Sequence, residues 1–117
     1  MRRVSQFPAQ VTTAATFDRN LTAMRAKYLA NEFKTMGVNM WLGPVSAGPL
    51  GRSVLDGRTW EGWSPDSYLN GVLTRVTVKY AQENGLNTCV KHFIGYEQET
   101  FRNQVGTRMG RKARSWC

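Results

Sequence analysis

The chain has 117 residues, with 16 Lys and Arg against 8 Asp and Glu, a formal net charge of +8. Hydrophobic residues make up 41% and charged residues 21%, an ordinary globular composition that excludes intrinsic disorder. No apolar run approaches the ~20 residues of a transmembrane helix, and the length suits one modest domain, well short of the about 250 residues of a complete (β/α)8 barrel.

Met1-Arg2-Arg3 has no apolar segment behind it, so no signal peptide is visible; if a parent protein is secreted, its signal is expected outside this chain. Val11-Thr12-Thr13-Ala14-Ala15-Thr16-Phe17 is short and rich in β-branched residues, which predicts a strand. Asp18 is placed to cap a helix whose apolar positions, Leu21, Met24, Tyr28, Leu29, Phe33 and Met36, fall on one face. Gly37 is expected to end it in a left-handed conformation. Val38–Leu42 predicts a second strand, and 43–63, rich in Gly, Pro and Ser, a long loop of the kind that carries function. Ser64-Pro65-Asp66 predicts a helix start with a cap, Pro at the first position and an acid in the first turn. Leu69, Val72, Leu73, Val76 and Tyr80 would form its apolar face, and Gly85 its end. Asn87–Ile94 predicts a third strand. Strand–helix–strand–helix–strand with parallel crossovers is an α/β pattern, and in such folds active sites gather at the carboxyl ends of the strands. The loop 43–63 and the pair Lys91-His92 both fall at that end.

The charge excess is uneven. Arg108, Arg111, Lys112 and Arg114 lie beyond residue 104, where no acid stands. That tail shows neither helical periodicity nor interleaved aromatics, so it reads as an irregular solvated segment ahead of a nucleic-acid or membrane-surface arm. Cys89 and Cys117 lack CxxC spacing and companion histidines, which argues against a metal site; Cys89, inside an apolar run, is expected to be buried.

Lys91 and the single histidine, His92, interrupt an apolar strand with polar chemistry. A buried ammonium needs an acceptor, so Lys91 either holds ligand oxygens together with His92 or pairs with a core acid while His92 bonds nearby backbone. The pattern supports both equally. Arg58 beside Trp60 is a reasonable sugar-site element, since a guanidinium donates to hydroxyls in a fixed fork and an indole stacks on sugar C–H faces. The spacing alone leans instead to an Arg58–Glu61 pair that pins the loop. Glycoside hydrolysis usually uses two carboxylates, about 5–5.5 Å apart for retention and 6.5–9.5 Å for inversion. Asp56, Glu61, Asp66, Glu97 and Glu99 are the candidates, and nothing in their surroundings marks a pair as acid and base.

Longer motifs narrow the choice. Gly43-Pro44-Val45, Gly48-Pro-Leu-Gly-Arg-Ser53 and Gly57-Arg-Thr-Trp-Glu-Gly-Trp-Ser-Pro-Asp66 resemble the run GP(V/L)…GPLGRS…GRNWEGFSPDP of fungal-type family 3 β-glucosidases. Lys91-His-Phe-Ile-Gly-Tyr-Glu-Gln-Glu99 is similar to that family's KHFIGNEQE, and Phe7-Pro8-Ala9-Gln10-Val11 through Phe17-Asp18 to its FPAGVTLAATWD. The resemblance keeps order and spacing from about Phe7 to Asn103. It implies part of an N-terminal (β/α)8-type barrel over 7–103, with the basic 104–117 outside the family pattern. It implies a parent that hydrolyses terminal β-D-glucosyl residues with retention, acting on β-glucosides or cello-oligosaccharides without a metal or other cofactor. Arg58, Lys91 and His92 would hold the sugar in the −1 subsite, with Trp60 and Glu61 structuring the loop. The family's nucleophile and acid/base carboxylates would lie beyond residue 117, and a further sugar-binding aspartate before residue 1, so the chain is expected to be an inactive fragment. The alternatives are a non-catalytic carbohydrate-binding remnant and a basic nucleic-acid or membrane-surface module. Tyr96 departs from the pattern, standing where the motif carries Asn.

Overall fold

The structure is a computed structural model and describes residues 4–48, 50–93 and 95–99. The element order is α1 (Gln10–Ala14), α2 (Arg19–Thr35), β1 (Met40–Trp41), a 3-10 turn (Thr59–Glu61), α3 (Ser67–Glu83) and β2 (Asn87–Thr88). The two strands are parallel, with Met40 opposite Asn87 and Trp41 opposite Thr88, so β1, α3 and β2 form the crossover unit of an α/β fold.

The first predicted element is overturned. Residues 11–17 form no strand: Gln10–Ala14 is helical and the chain then turns into Asp18. The β-branched run pointed to a strand because its threonines favour extended backbone when nothing else competes. Here their hydroxyls bond back along the chain, Thr13 Oγ1 to the Ala9 carbonyl at 3.1 Å and Thr16 Oγ1 to the Thr13 carbonyl at 2.7 Å, and so support helical turns. Burial of Gln10, Thr13 and Ala14 on one side completes the override.

The two long helices keep their expected ends. Asp18 Oδ1 accepts from the Asn20 and Leu21 amides at 2.7 and 3.1 Å, as a helix N-cap does. At the other end Gly37 sits at φ +79°, its N–H reaching the Lys34 carbonyl while the Val38 N–H reaches that of Phe33. Gly85, at φ +76°, repeats the arrangement: its N–H bonds the Gln82 carbonyl and that of Leu86 bonds Ala81. Each is a Schellman closure that satisfies orphan carbonyls and sends the chain into the following strand. Asp66, however, is the N-cap of α3 itself, accepting from the Leu69 amide at 2.6 Å, so Pro65 lies one residue outside the helix.

The buried face of α2 is also not the predicted one. Thr22, Ala23, Ala26 and Ala30 are buried, whereas Leu21, Met24, Tyr28 and Met36 are exposed and Leu29 and Phe33 half-buried. Helix α2 packs on α3 through small side chains, Ala30 meeting Ala81 and Leu86 with Phe33 and Trp41 alongside. Small residues let two helix backbones approach closely, and a pattern weighted by large apolar residues overlooks such a seam. In α3, Leu73 is buried as expected and Leu69, Val72, Val76 and Tyr80 are half-buried, while Asn70, Thr77 and Ala81 complete the inner face. A second apolar cluster joins Ala14, Trp63 and Leu73.

The strands are shorter than expected. After Trp41 the ladder breaks at Gly43-Pro44, where Pro44 has no N–H to give. The Trp41 indole folds over Gly43 so closely that a Cβ there would lie 2.5–2.8 Å from it. Pairing then resumes, with Val45 bridged in parallel to both Gly62 and Lys91. Cys89 is exposed rather than buried, because strand alternation turns Leu86 and Thr88 inward and Cys89 outward. Ile94, Cys117 and the basic tail 104–117 lie outside the described residues.

Candidate functional site

Val45, at the middle of the resumed ladder, anchors the site. The Gln10 side chain clasps it, Nε2 donating to the Val45 carbonyl at 2.9 Å and Oε1 accepting from its N–H at 3.0 Å, both buried. Asn70 of α3 donates to the Ser46 carbonyl, the Ser46 N–H bonds the Lys91 carbonyl at 2.7 Å, and the Lys91 N–H bonds that of Pro44 at 3.1 Å. Two interior amides therefore fix the backbone that carries Lys91 and His92.

The loop is turned by Asp56, which is 2% exposed. A buried carboxylate must be hydrogen-bonded, and Asp56 accepts from the Gly51 amide at 3.1 Å and from the Thr59 hydroxyl. This holds the 3-10 turn that presents Arg58 and Glu61. Neither the Gln10 clasp nor the Asp56 staple was among the expectations. The Gln10 clasp spans 35 residues and has no local signature in the sequence, while the Asp56 staple is local, reaching five residues back and three forward inside an aperiodic loop.

Arg58, Glu61, Lys91, His92, Tyr96 and Glu99 converge at the carboxyl end of the parallel pair. Arg58 meets Glu61 as a fork on a fork, Nε to Oε1 at 2.6 Å and Nη2 to Oε2 at 2.8 Å. Its Nη1 donates to the Tyr96 hydroxyl at 2.6 Å and to Glu99 Oε1 at 3.3 Å, and the Tyr96 hydroxyl donates to the same Glu99 oxygen at 2.6 Å. Lys91 Nζ lies 3.5 Å from Glu61 Oε2. The His92 and Tyr96 rings stack, with centroids 4.1 Å apart and planes within 10°. Of the two readings of Lys91, pairing with an acid is therefore realised, and so is the Arg58–Glu61 pin. Trp60, on the same 3-10 turn, is 59% exposed, while Trp63 is the tryptophan that packs inside, on Ala14 and Leu73.

The charges are set by these contacts. The hydrogen bond from Arg58, with further support from Lys91, holds the Glu61 carboxyl below its usual range, and the same bond drives the Arg58 guanidinium upward. Glu61 is thus an ionised anchor. Burial, reinforced by the Lys91 and Arg58 charges, lowers the His92 pKa, which makes it a neutral imidazole near pH 7. Its Nε2 is buried with no hydrogen-bond partner among the described residues. Among the described residues one Nη2 hydrogen of Arg58 and ammonium hydrogens of Lys91 are uncommitted, and the charges of both side chains act on the His92 imidazole. Several donors next to a neutral imidazole suit a neutral polyhydroxylated ligand. Among the described residues no group of three or more His, Cys, Asp or Glu gathers to hold a metal, and no helix is long and apolar enough to cross a membrane.

Residues 1–113 match the family model of the glycosyl hydrolase family 3 N-terminal domain, a span that runs past Asn103 into the basic segment. The chain belongs to glycosyl hydrolase family 3. It is 50% identical over 99 residues to a probable β-glucosidase G from Emericella nidulans, an alignment covering 85% of this chain and 12% of that relative. A Chaetomium thermophilum β-glucosidase structure superposes with a TM-score of 0.81 at 50% identity, over 90% of this chain and 12% of that one. β-Glucosidase 3B from Thermotoga neapolitana, solved in complex with glucose, superposes with a TM-score of 0.74 at 33% identity, over 81% of this chain and 13% of that one. The chain therefore spans about one-eighth of the length of the family 3 proteins it matches.

Proposed function

We propose that Arg58, Lys91 and His92 form part of the glucosyl-binding wall of a retaining β-glucosidase, and that this α/β unit is one sector of its (β/α)8-type barrel. The substrate class is a terminal β-D-glucoside or cello-oligosaccharide. The observation that carries the reading is the convergence of Arg58 from the long loop with Lys91-His92 from the end of the β2 segment. Together they bring cationic donors to the end of the fold that holds a neutral imidazole whose Nε2 has no partner among the described residues. Family membership supports the same assignment.

On this reading the 117-residue chain binds sugar without cleaving it. Cleavage needs a protonated acid at the leaving oxygen and a second carboxylate. Of the five candidate carboxylates, Glu61 is held ionised by Arg58, Asp56 is spent on the loop turn and Asp66 caps α3. Glu99 accepts from Arg58 and Tyr96, which leaves Glu97 without one of the other four as its partner. Calorimetric titration with glucose and cellobiose tests the binding, and p-nitrophenyl β-glucoside tests turnover. Arg58→Ala, Lys91→Ala and His92→Ala should each weaken binding. The scale is the roughly 1.5–3 kcal/mol of a hydrogen bond involving a charged group, about ten- to 150-fold. Variants that bind like the wild type but melt early would make these residues scaffold. Turnover that survives purification and vanishes in Glu61→Ala would overturn the non-catalytic part.

A further inference from the structure

We infer that Tyr96 is a positioning residue that sets Arg58 and His92 together: its hydroxyl sits between Glu99 and the guanidinium, and its ring lies flat on the imidazole. The inference deepens the sugar-binding reading above and rests on it for its functional consequence. Tyr96 is 7% exposed, so its hydroxyl has to be paired. It donates to Glu99 Oε1 at 2.6 Å and accepts from Arg58 Nη1 at 2.6 Å, while Nη1 also reaches the same Glu99 oxygen at 3.3 Å. The phenol thereby closes a small ring of hydrogen bonds that fixes one arm of the Arg58 fork, and Glu61 fixes the other. The Arg58 guanidinium carbon also lies 5.3 Å from the Tyr96 ring centroid, within cation–π range.

The ring has a second task. Its 4.1 Å stack on His92 restricts rotation of an imidazole whose Nε2 has no orienting partner among the described residues. The backbone supports the arrangement from both sides. The Glu99 N–H bonds the Leu55 carbonyl at 3.1 Å, tying the segment after β2 to the Arg58 loop, and a Cβ on Gly48 would lie 2.8–2.9 Å from Tyr96. One side chain thus couples the two segments that supply the site. The asparagine of the resembled motif is too short to stack on the imidazole and reach the guanidinium at once.

The chain has one histidine, so its imidazole signals are unambiguous in an NMR spectrum. The test uses the full chain without sugar first, with the Arg58 Nη1–H signal, from the nitrogen bonded to Tyr96, assigned by its loss in Arg58→Lys. Tyr96→Phe keeps the ring and removes the hydroxyl, so the His92 ring protons should stay at their shielded positions while the Arg58 signal moves. Tyr96→Leu removes the ring, and the His92 protons should move downfield to the positions of an unstacked imidazole. If Tyr96→Leu loses the folded amide spectrum, Tyr96→Asn takes its place with the same expected His92 shift. A folded variant lacking the ring with unmoved His92 protons would overturn the inference, as would Tyr96→Phe with an unmoved Arg58 signal. Added glucose then reads the consequence: Tyr96→Phe should weaken binding about tenfold, the scale of one hydrogen bond. A wild-type chain whose His92 signals ignore glucose defeats the sugar reading, while the sugar-free shifts still decide for or against Tyr96 as the positioning residue.

Discussion

Replacing Glu61 by alanine removes a carboxylate that pairs with both Arg58 and Lys91. The Arg58 and Glu61 side chains are only 21% and 17% exposed and meet through two short bonds. Breaking a fully buried pair from one side costs about 3–5 kcal/mol, and a single bond to a charged group contributes about 1.5–3. The Glu61 pair is only partly buried, and Arg58 keeps Glu99 and Tyr96 after the change, so the loss should be about 2 kcal/mol. For a chain near 100 residues each kcal/mol moves Tm by about 4–8 °C, so Glu61→Ala should melt roughly 10 °C early. The control is Glu83→Ala, which breaks the exposed 3.8 Å pair with Lys79 and should cost less than about 0.5 kcal/mol. Urea denaturation of both variants beside the wild type measures the difference. Equal midpoints for Glu61→Ala and Glu83→Ala would refute the argument that the cluster fixes the loop.

Acidification should act in two stages. His92, held neutral with a lowered pKa, contributes stability that is fully present above its ordinary 6.5 and is lost as pH falls through its folded value. Glu61, lowered from 4.5, contributes stability that begins to go only below pH 4.5. Melting curves from pH 7.5 to 3.5 should show both stages, and His92→Gln should flatten the upper one alone. Gln10→Leu would strand the buried N–H and carbonyl of Val45 and should cost about 2–4 kcal/mol by denaturant titration, and Gln10→Glu at neutral pH should also destabilise, since it sets a buried carboxylate oxygen against the Val45 carbonyl. Gly85→Ala, at φ +76°, should destabilise by about 1–2 kcal/mol, whereas Gly71→Ala, inside α3 with open space around its Cβ position, should stabilise by about 0.5–1 kcal/mol. Thermal melts of that pair check the sign of each.

Helix ends were the most legible part of the fold because their signals are local. Asp18, Gly37 and Gly85 each act within a few residues of their own position, and each does what its side chain or lack of one allows. Faces and strands were harder. The seam between α2 and α3 is made of alanines and threonines, which carry little weight beside Leu21, Met24 and Tyr28. The 11–17 run formed a short helix and a turn because hydroxyl contacts and the grip of Gln10 on Val45 outweighed β-branched preference. In the site, the Arg58–Glu61 pair was readable from a three-residue spacing, and Lys91 and His92 from being polar in an apolar strand. Tyr96 and Glu99 join the cluster from some forty residues away and Asp56 from a buried turn, so only the folded chain shows what they hold.

The most direct measurement is a crystal structure of the chain soaked with D-glucose at saturating concentration. A pyranose should lie against the end of the parallel pair, with ring hydroxyls within about 3 Å of Arg58, of Lys91 Nζ and of His92 Nε2, and with Tyr96 still stacked on the imidazole. A sugar bound elsewhere, or none bound while His92 Nε2 is satisfied by another group of the protein, would contradict it.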